Sequence, residues 1–237
     1  MAGPGVDAVV FDWGGTLSHF VPIELLDVWR AAAHHLDPAR EDELTERLSQ
    51  VEERFWARTT TTQQSATLAD LLGEASRELG LDVAEAVLEE AAVRHLDAWT
   101  PHITHDPDAA PVLRALRERG LTIGLLSNTH WPRAFHEEFL ERDGLAELID
   151  ARLYSSELSH LKPHPSVFRA ALDALDVADP ARAVFVGDRP LDDISGAQGV
   201  GMRAVLRPNG AVPGHDVEPD ATIASLPELL VLVDAWS

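Results

Sequence analysis

Val6-Asp7-Ala8-Val9-Val10-Phe11, followed at once by Asp12-Trp13-Gly14-Gly15-Thr16, is the stretch on which the reading of this chain turns. A valine-rich run closed by an acid, two glycines and a threonine is the pattern of a buried strand that delivers one carboxylate to the carboxyl edge of a sheet. That edge is where open α/β sheets bind ligands. The glycines let backbone N–H groups turn toward an incoming anion, so Asp12 stands where a carboxylate can attack a phosphorus centre. The same letters also describe a plain strand-to-helix connection, and this stretch by itself leaves both readings open.

Three further polar clusters follow in turn. Residues Leu121 to Leu126 read as an apolar strand ending in Ser127-Asn128-Thr129, which brings a hydroxyl and free amides to the same edge. Lys162 lies in Leu161-Lys162-Pro163-His164-Pro165, just ahead of a helix, and is the only lysine among 237 residues. In a chain that otherwise writes its positive charges as arginine, one compact ammonium suits a point-charge contact to a phosphoryl oxygen or a carboxylate, although a stray surface lysine fits the same letter. Ala183 to Val186 form another strand, closed by Gly187-Asp188 with Asp192 and Asp193 close behind. That spacing leaves one carboxylate on the strand tip and another on the following turn, hard oxygen ligands of the kind Mg²⁺ takes alongside substrate oxygens. One of Asp192 and Asp193 is also expected to cap the next helix.

In this order, Asp then Ser then Lys then an acidic cluster, the chain resembles the haloacid dehalogenase (HAD) superfamily, in its phosphatase-like branch with a helical cap. The resemblance covers most of the chain. Asp12 to Thr16 look like the family's first motif, Ser127-Asn128 its second, Lys162-Pro163 its third, and Val186-Gly187-Asp188 through Asp193-Ile194-Ser195-Gly196-Ala197 its fourth. A response-regulator receiver uses similar groups, but it opens on an acidic pair and is far shorter.

What the resemblance implies, together with the chemistry of these groups, is a Mg²⁺-dependent hydrolase of a small phosphorylated metabolite. Asp12, Ser127 and Lys162 would form the catalytic set, with Asp12 attacking in line to give an aspartyl-phosphate that water hydrolyses. Mg²⁺ would be held by Asp12, the Gly14 carbonyl, Asp188 and Asp193, so that two anions can meet. Ser127, Lys162 and the backbone around Gly14, Gly15, Thr16 and Asn128 would hold the phosphoryl oxygens. A cap closing over the site would exclude water and choose the leaving group.

One departure matters. Superfamily phosphatases usually carry a second Asp two residues after the nucleophile, where it protonates the leaving oxygen; this chain has Gly14 there. A positioned acid–base group contributes about 10²–10⁴-fold, so its absence should restrict the enzyme to good leaving groups. Dehalogenases also lack this acid, but they need no metal, which leaves the Asp188 to Asp193 cluster without a purpose. Phosphonate-cleaving relatives use a cap lysine, and this cap has none. A non-catalytic member that binds a phosphorylated ligand or a protein stays open as an alternative. His19 and His130 are conceivable substitutes for the missing acid, each otherwise read as an ordinary exposed histidine; His34, His35, His102 and His105 are read as solvated or structural.

The periodicity divides the chain. After Thr16 some eighty residues read as amphipathic helices. One carries Ile23, Leu25, Leu26, Val28 and Trp29, and another Leu44, Leu48, Val51, Phe55 and Trp56. A third spans about Ser65 to Leu79, and a fourth opens with a capping-box-like Asp82 and Glu85; their stripes are read as bundle core. From Asp108 helix and strand alternate, with strands at Leu121 to Leu126, Ile149 to Tyr154, Ala183 to Val186 and Arg203 to Leu206. The expected fold is α/β: a Rossmann-like parallel sheet core with helices on both faces, residues 1–18 and 101–237, plus an inserted α-helical cap over 19–100. Composition fits. There are no cysteines, 45% of residues are hydrophobic, and the formal charge of −21 disfavours nucleic acid and anionic membranes. The start lacks the features of a signal peptide and no run is long enough to cross a bilayer, so a cytoplasmic monomer or homodimer is expected.

Overall fold

The computed structural model describes residues 5–19, 23–210, 212 and 214–236. The Met1 to Pro4 start and residues 20–22, where the helical insert begins, lie outside the described residues. Six parallel strands form one sheet in the order β3-β2-β1-β4-β5-β6. They are β1 (Ala8–Phe11), β2 (Thr122–Ser127), β3 (Ala151–Tyr154), β4 (Ala183–Gly187), β5 (Arg203–Leu206) and β6 (Ala221–Thr222). All four residues of β1 are buried, because helices cover both faces of the sheet and no side chain of a central strand can reach water. Alternate residues serve opposite layers. Val9 and Phe11 pack in one hydrophobic cluster and Ala8 and Val10 in the other, and β4 divides in the same way, with Val184 and Val186 opposed to Ala183 and Phe185. Fully burying such a side chain contributes about 1.5–3 kcal/mol.

The helices α5 (Ala109–Glu118), α6 (Arg133–Arg142) and α9 (Glu228–Trp236) bury their apolar stripes on the first face; α7 (Pro165–Ala174) and the short α8 (Gly196–Gly199) cover the second. The sheet runs outward from β1 through β2 to β3, then returns to the other side of β1 with β4. Strand order therefore reverses between β1 and β4, where a crevice opens at the carboxyl ends. Register sets what meets there: Phe11 lies opposite both Leu125 and Val186, so the residues just beyond, Asp12, Ser127 and Asp188, leave the sheet side by side.

Between β1 and α5 the chain forms α1 (Leu25–Leu36), α2 (Glu41–Ala57), α3 (Leu68–Glu78) and α4 (Glu85–Trp99), packed around a third cluster that includes Trp29, Leu48, Phe55 and Leu71. Leu161, from the loop ahead of Lys162, plugs into this cluster. Backbone hydrogen bonds that join the insert to the core include Leu68 N–H to the His130 carbonyl (2.6 Å), Leu161 N–H to the Gln63 carbonyl (2.8 Å) and Ser65 N–H to the Ser159 carbonyl (3.2 Å).

Local expectations needed correction at three places. The capping box belongs to α3, where Thr67 and Asp70 bond each other's backbone; α4 starts at Glu85 with no side-chain cap, and Asp82 plays no such part. Neither Asp192 nor Asp193 caps α8. The segment instead forms a π-helical turn, Pro190–Ser195, in which the Asp193 carboxylate accepts the Arg189 N–H at 2.9 Å. The two-residue β6 escaped the pattern because so short an edge strand has no period to read.

Candidate active site

At the crevice Asp12, Lys162, Asp188 and Asp193 are all buried. The Lys162 ammonium lies 2.6 Å from Asp12 Oδ1 and 2.7 Å from Asp193 Oδ1, and it donates to the Leu126 carbonyl at 2.9 Å. The contacts to Asp12 and Leu126 are hydrogen bonds and that to Asp193 is an ion pair. Lys162 is held from behind: the Asn128 side-chain amide accepts the Lys162 N–H at 2.7 Å and donates to its carbonyl at 3.0 Å. That reciprocal pair makes the Asn128 side chain a brace for Lys162 rather than a free ligand group. Gly187 is required as glycine, because a Cβ there would occupy the space of the Asp193 carboxylate.

The carboxylates of Asp12, Asp188 and Asp193 offer oxygens that all lie within 4.8 Å of one another. Three such groups around one lysine leave excess negative charge. Burial first, and the neighbouring carboxylates second, push Asp188 up to about 8; burial likewise pushes Asp12 up to about 6, against the attraction of Lys162, whose own pKa is raised. Asp188 Oδ2 accepts from Asn209 at 3.1 Å, whereas its buried Oδ1 has no partner among the described residues. An orphaned carboxylate oxygen beside two other acids fits a hard divalent cation. Asp192 is buried nearby, but it turns to Thr59 of the insert and is raised to about 6, chiefly by burial.

Above this floor opens a cavity of about 730 Å³. Asp12, Gly14, Ser127, Asn128 and Lys162 line it; Gly15 and Thr16 do not. Gly15 takes the positive φ of the nucleophile loop (83°) and its N–H bonds the Ser18 carbonyl, while Thr16 is fully buried behind the loop. Gly14 is not among the positive-φ glycines. The Ser127 hydroxyl makes only a 3.5 Å contact to the Asn128 carbonyl and so stays available to a ligand.

The histidines divide sharply. His19 is exposed, with 46% of its side chain accessible, as the sequence suggests. His130 is not an exposed residue: it is 1% accessible, lines the cavity, and shares a 3.0 Å hydrogen bond with Glu52 of α2. Glu52 also accepts from Trp29 Nε1 at 2.7 Å. Burial alone would raise the Glu52 carboxyl, but the bonds from His130 and Trp29 outweigh it and hold the group ionised below its ordinary range. His136 stays neutral, driven down to about 3 by burial. His105 is structural, accepting from Trp13 Nε1 at 3.0 Å and pairing with Asp143 at 2.7 Å, which fixes the ring beside the nucleophile.

Sequence reasoning missed Glu52 and the role of Trp56. A signal existed: Ser49, Glu52, Glu53 and Trp56 recur at i, i+3, i+4 and i+7, and all line the cavity, while Leu44, Leu48, Val51 and Phe55 fill the insert's core from the opposite side of α2.

Comparison with known proteins agrees with this geometry. The model of the haloacid dehalogenase-like hydrolases matches residues 6–201. The chain is 37% identical over 126 residues to a phosphoserine phosphatase of Thermus thermophilus, a match covering 53% of this chain and 49% of that protein, so it spans about half of that relative's length. It is 29% identical to a phosphoglycolate phosphatase of Rhodospirillum rubrum over 92% of this chain and 85% of the relative. A 2-haloacid dehalogenase structure from Pseudomonas syringae pv. tomato superposes with a TM-score of 0.74 at 27% identity, covering 98% of this chain and all of that one. With four motif positions gathered at one sheet edge and a family match running from β1 to α8, the chain belongs to the haloacid dehalogenase-like hydrolases.

Proposed function

We propose that this chain is a Mg²⁺-dependent phosphatase of small phosphorylated metabolites, working through an aspartyl-phosphate on Asp12. The observation that carries the reading is the Lys162 ammonium clamped between Asp12 and Asp193, with Asp188 completing a buried group of three acids of which Asp12 lines the cavity. Asp12, Asp188, Asp193 and the Gly14 carbonyl would hold the ion. When bound, Mg²⁺ supplies charge neutralisation that lets an anionic nucleophile approach an anionic ester. Lys162 fixes the Asp12 carboxylate for in-line attack and keeps a positive charge beside the transferred group. Ser127 offers a hydroxyl to a phosphoryl oxygen. The helical insert, residues 19–100, serves as the cap that roofs the site and excludes water.

No acid stands at position 14 to protonate the leaving oxygen. His136 remains neutral at working pH and is no proton donor; of the other cavity histidines, His19, His102 and His130, His130 is the one bonded to the ionised Glu52 and takes that task only if rates prove independent of leaving-group acidity. Hydrolysis of an aryl phosphate in Mg²⁺, abolished by chelator, with acid-stable label trapped on Asp12, tests the reading. A second reading, dehalogenation, draws on the likeness to the Pseudomonas syringae protein and on Gly14. Halide release from a 2-haloacid without metal would select it, and absence of any turnover would leave a phosphate-ligand binder.

A further inference from the structure

The cavity reaches well beyond the acidic floor, and its far end differs in kind. Trp13, next to the nucleophile, lies edge-on to Trp131 with centroids 6.3 Å apart, and Trp131 meets Trp99, at the end of α4, at 5.1 Å. Together they form an aromatic wall running from the reacting group up into the insert. Trp56 faces into the same cavity from α2, one turn beyond Glu52 and beside the exposed Glu53. Among the described lining residues the full cations are Lys162 and Arg189, and both sit at the phosphate end: Lys162 is clamped by two acids, and Arg189 directly follows Asp188. The described residues of the insert that line the cavity are two tryptophans, Ile23, Leu25, His19, Ser49 and two glutamates, with no lysine or arginine among them.

Resting on the phosphatase reading above, we infer that this site takes phosphate monoesters whose leaving group is uncharged and presents an aromatic or apolar face, and that it rejects those whose leaving group carries a carboxylate. Stacking on indole faces supplies the attraction. A leaving-group carboxylate would have to shed water opposite Glu52 and Glu53, where the insert offers no lysine or arginine to receive it, a penalty that stacking does not offset. The two phosphatase relatives act, by their names, on phosphoserine and phosphoglycolate, both carboxylated. On this inference the chain differs from them in the leaving group it accepts, in addition to the missing acid at Gly14.

The test separates binding from turnover. Titration calorimetry on the Mg²⁺-loaded protein compares 2-phenylethylphosphonate with phosphonoacetate, neither of which can be hydrolysed; the first should bind at least about tenfold more tightly. Trp56→Ala should weaken the phenyl probe about tenfold and leave phosphonoacetate unchanged. Since Trp56 also touches the insert's core, Glu53→Lys on the exposed side of α2 provides a second arm: phosphonoacetate should tighten about tenfold while the phenyl probe does not. Turnover of 2-phenylethyl phosphate, 2-phosphoglycolate and O-phosphoserine, all esters of primary alcohols, should follow the same order in kcat/KM. Phosphonoacetate binding as tightly as the phenyl probe, or a Glu53→Lys protein with unchanged preference, overturns the inference even if the enzyme is a phosphatase. A clear phenyl preference in binding with no ester turned over sustains the inference about the wall and sinks the phosphatase reading.

Discussion

The two ends of the cavity are built on opposite principles. At the floor three acids gather around one ammonium: Lys162 lies within 2.7 Å of Asp12 and Asp193, Asp188 keeps an unpartnered oxygen among the described residues, and these groups stand on strand ends or on the turns that leave them. The wall is mainly aromatic and aliphatic with two acids, it comes from helices of the insert and the loops after β1 and β2, and its one buried acid, Glu52, is already bonded to Trp29 and His130. The floor carries the charge, suited to one reaction; the wall is held by packing, suited to choosing a substrate. A change at the floor should therefore act on kcat and stability, and a change at the wall on KM.

The sharpest way to break this contrast is at Asp12. Asp12→Asn should lower turnover by about 10⁴-fold or more, since the nucleophile is lost with little change in size. The thermal midpoint should stay within a few degrees, because burial already disfavours the Asp12 charge. A purified variant that keeps a tenth of the activity would take Asp12 out of the chemistry. Next in size is Lys162→Met, which removes the ammonium and leaves Asp12 and Asp193 buried without it. Urea unfolding should show a loss of about 3–5 kcal/mol, partly restored by Mg²⁺. A loss below about 1 kcal/mol would mean the clamp contributes little to the fold.

Gly14→Asp sharpens the comparison from the other side. Wild-type rates should depend steeply on leaving-group acidity, and the variant should flatten that dependence, raising alkyl phosphate turnover by about 10²-fold. The backbone allows it, since Gly15 and not Gly14 adopts the positive φ. If wild-type rates show no such dependence, His130 already donates the proton, and His130→Asn should create the dependence.

The smallest effect concerns pH. Folding raises Asp188 to about 8, so the folded chain binds this proton more tightly than the unfolded one, and metal-free stability should fall as pH rises from about 6.5 to 8. Below about pH 6 the protons that His95 and His136 take up on unfolding, both being lowered to about 3 by burial, are opposed by those that Asp12, Asp188 and Asp192 hold in the folded chain, so the alkaline limb is the informative one. Thermal midpoints without metal should fall from about pH 6.5 to 8 with a slope of at most about 1.4 kcal/mol per unit, and Mg²⁺ should flatten that slope. A metal-free midpoint that rises steadily to pH 8 would contradict the charge excess at the floor.

The sequence by itself determined the parallel sheet and the polar residues at its strand ends. Buried parallel strands announce themselves as apolar runs, and a strand tip is a local feature, so Asp12, Ser127 and Asp188 were legible as strand ends and Lys162 as a singular charge. Only the tertiary structure decided which of those tips touch, that Asp193 rather than Asp192 shares Lys162 with Asp12, that Asn128 braces the lysine, and that His130 is buried against Glu52. Glu52 and His130 are 78 residues apart, one on α2 and the other on the loop after β2. Nothing in either local pattern distinguishes a solvated side chain from one that the packing of a distant helix deprives of water, because burial is a property of the assembled layers and not of the segment.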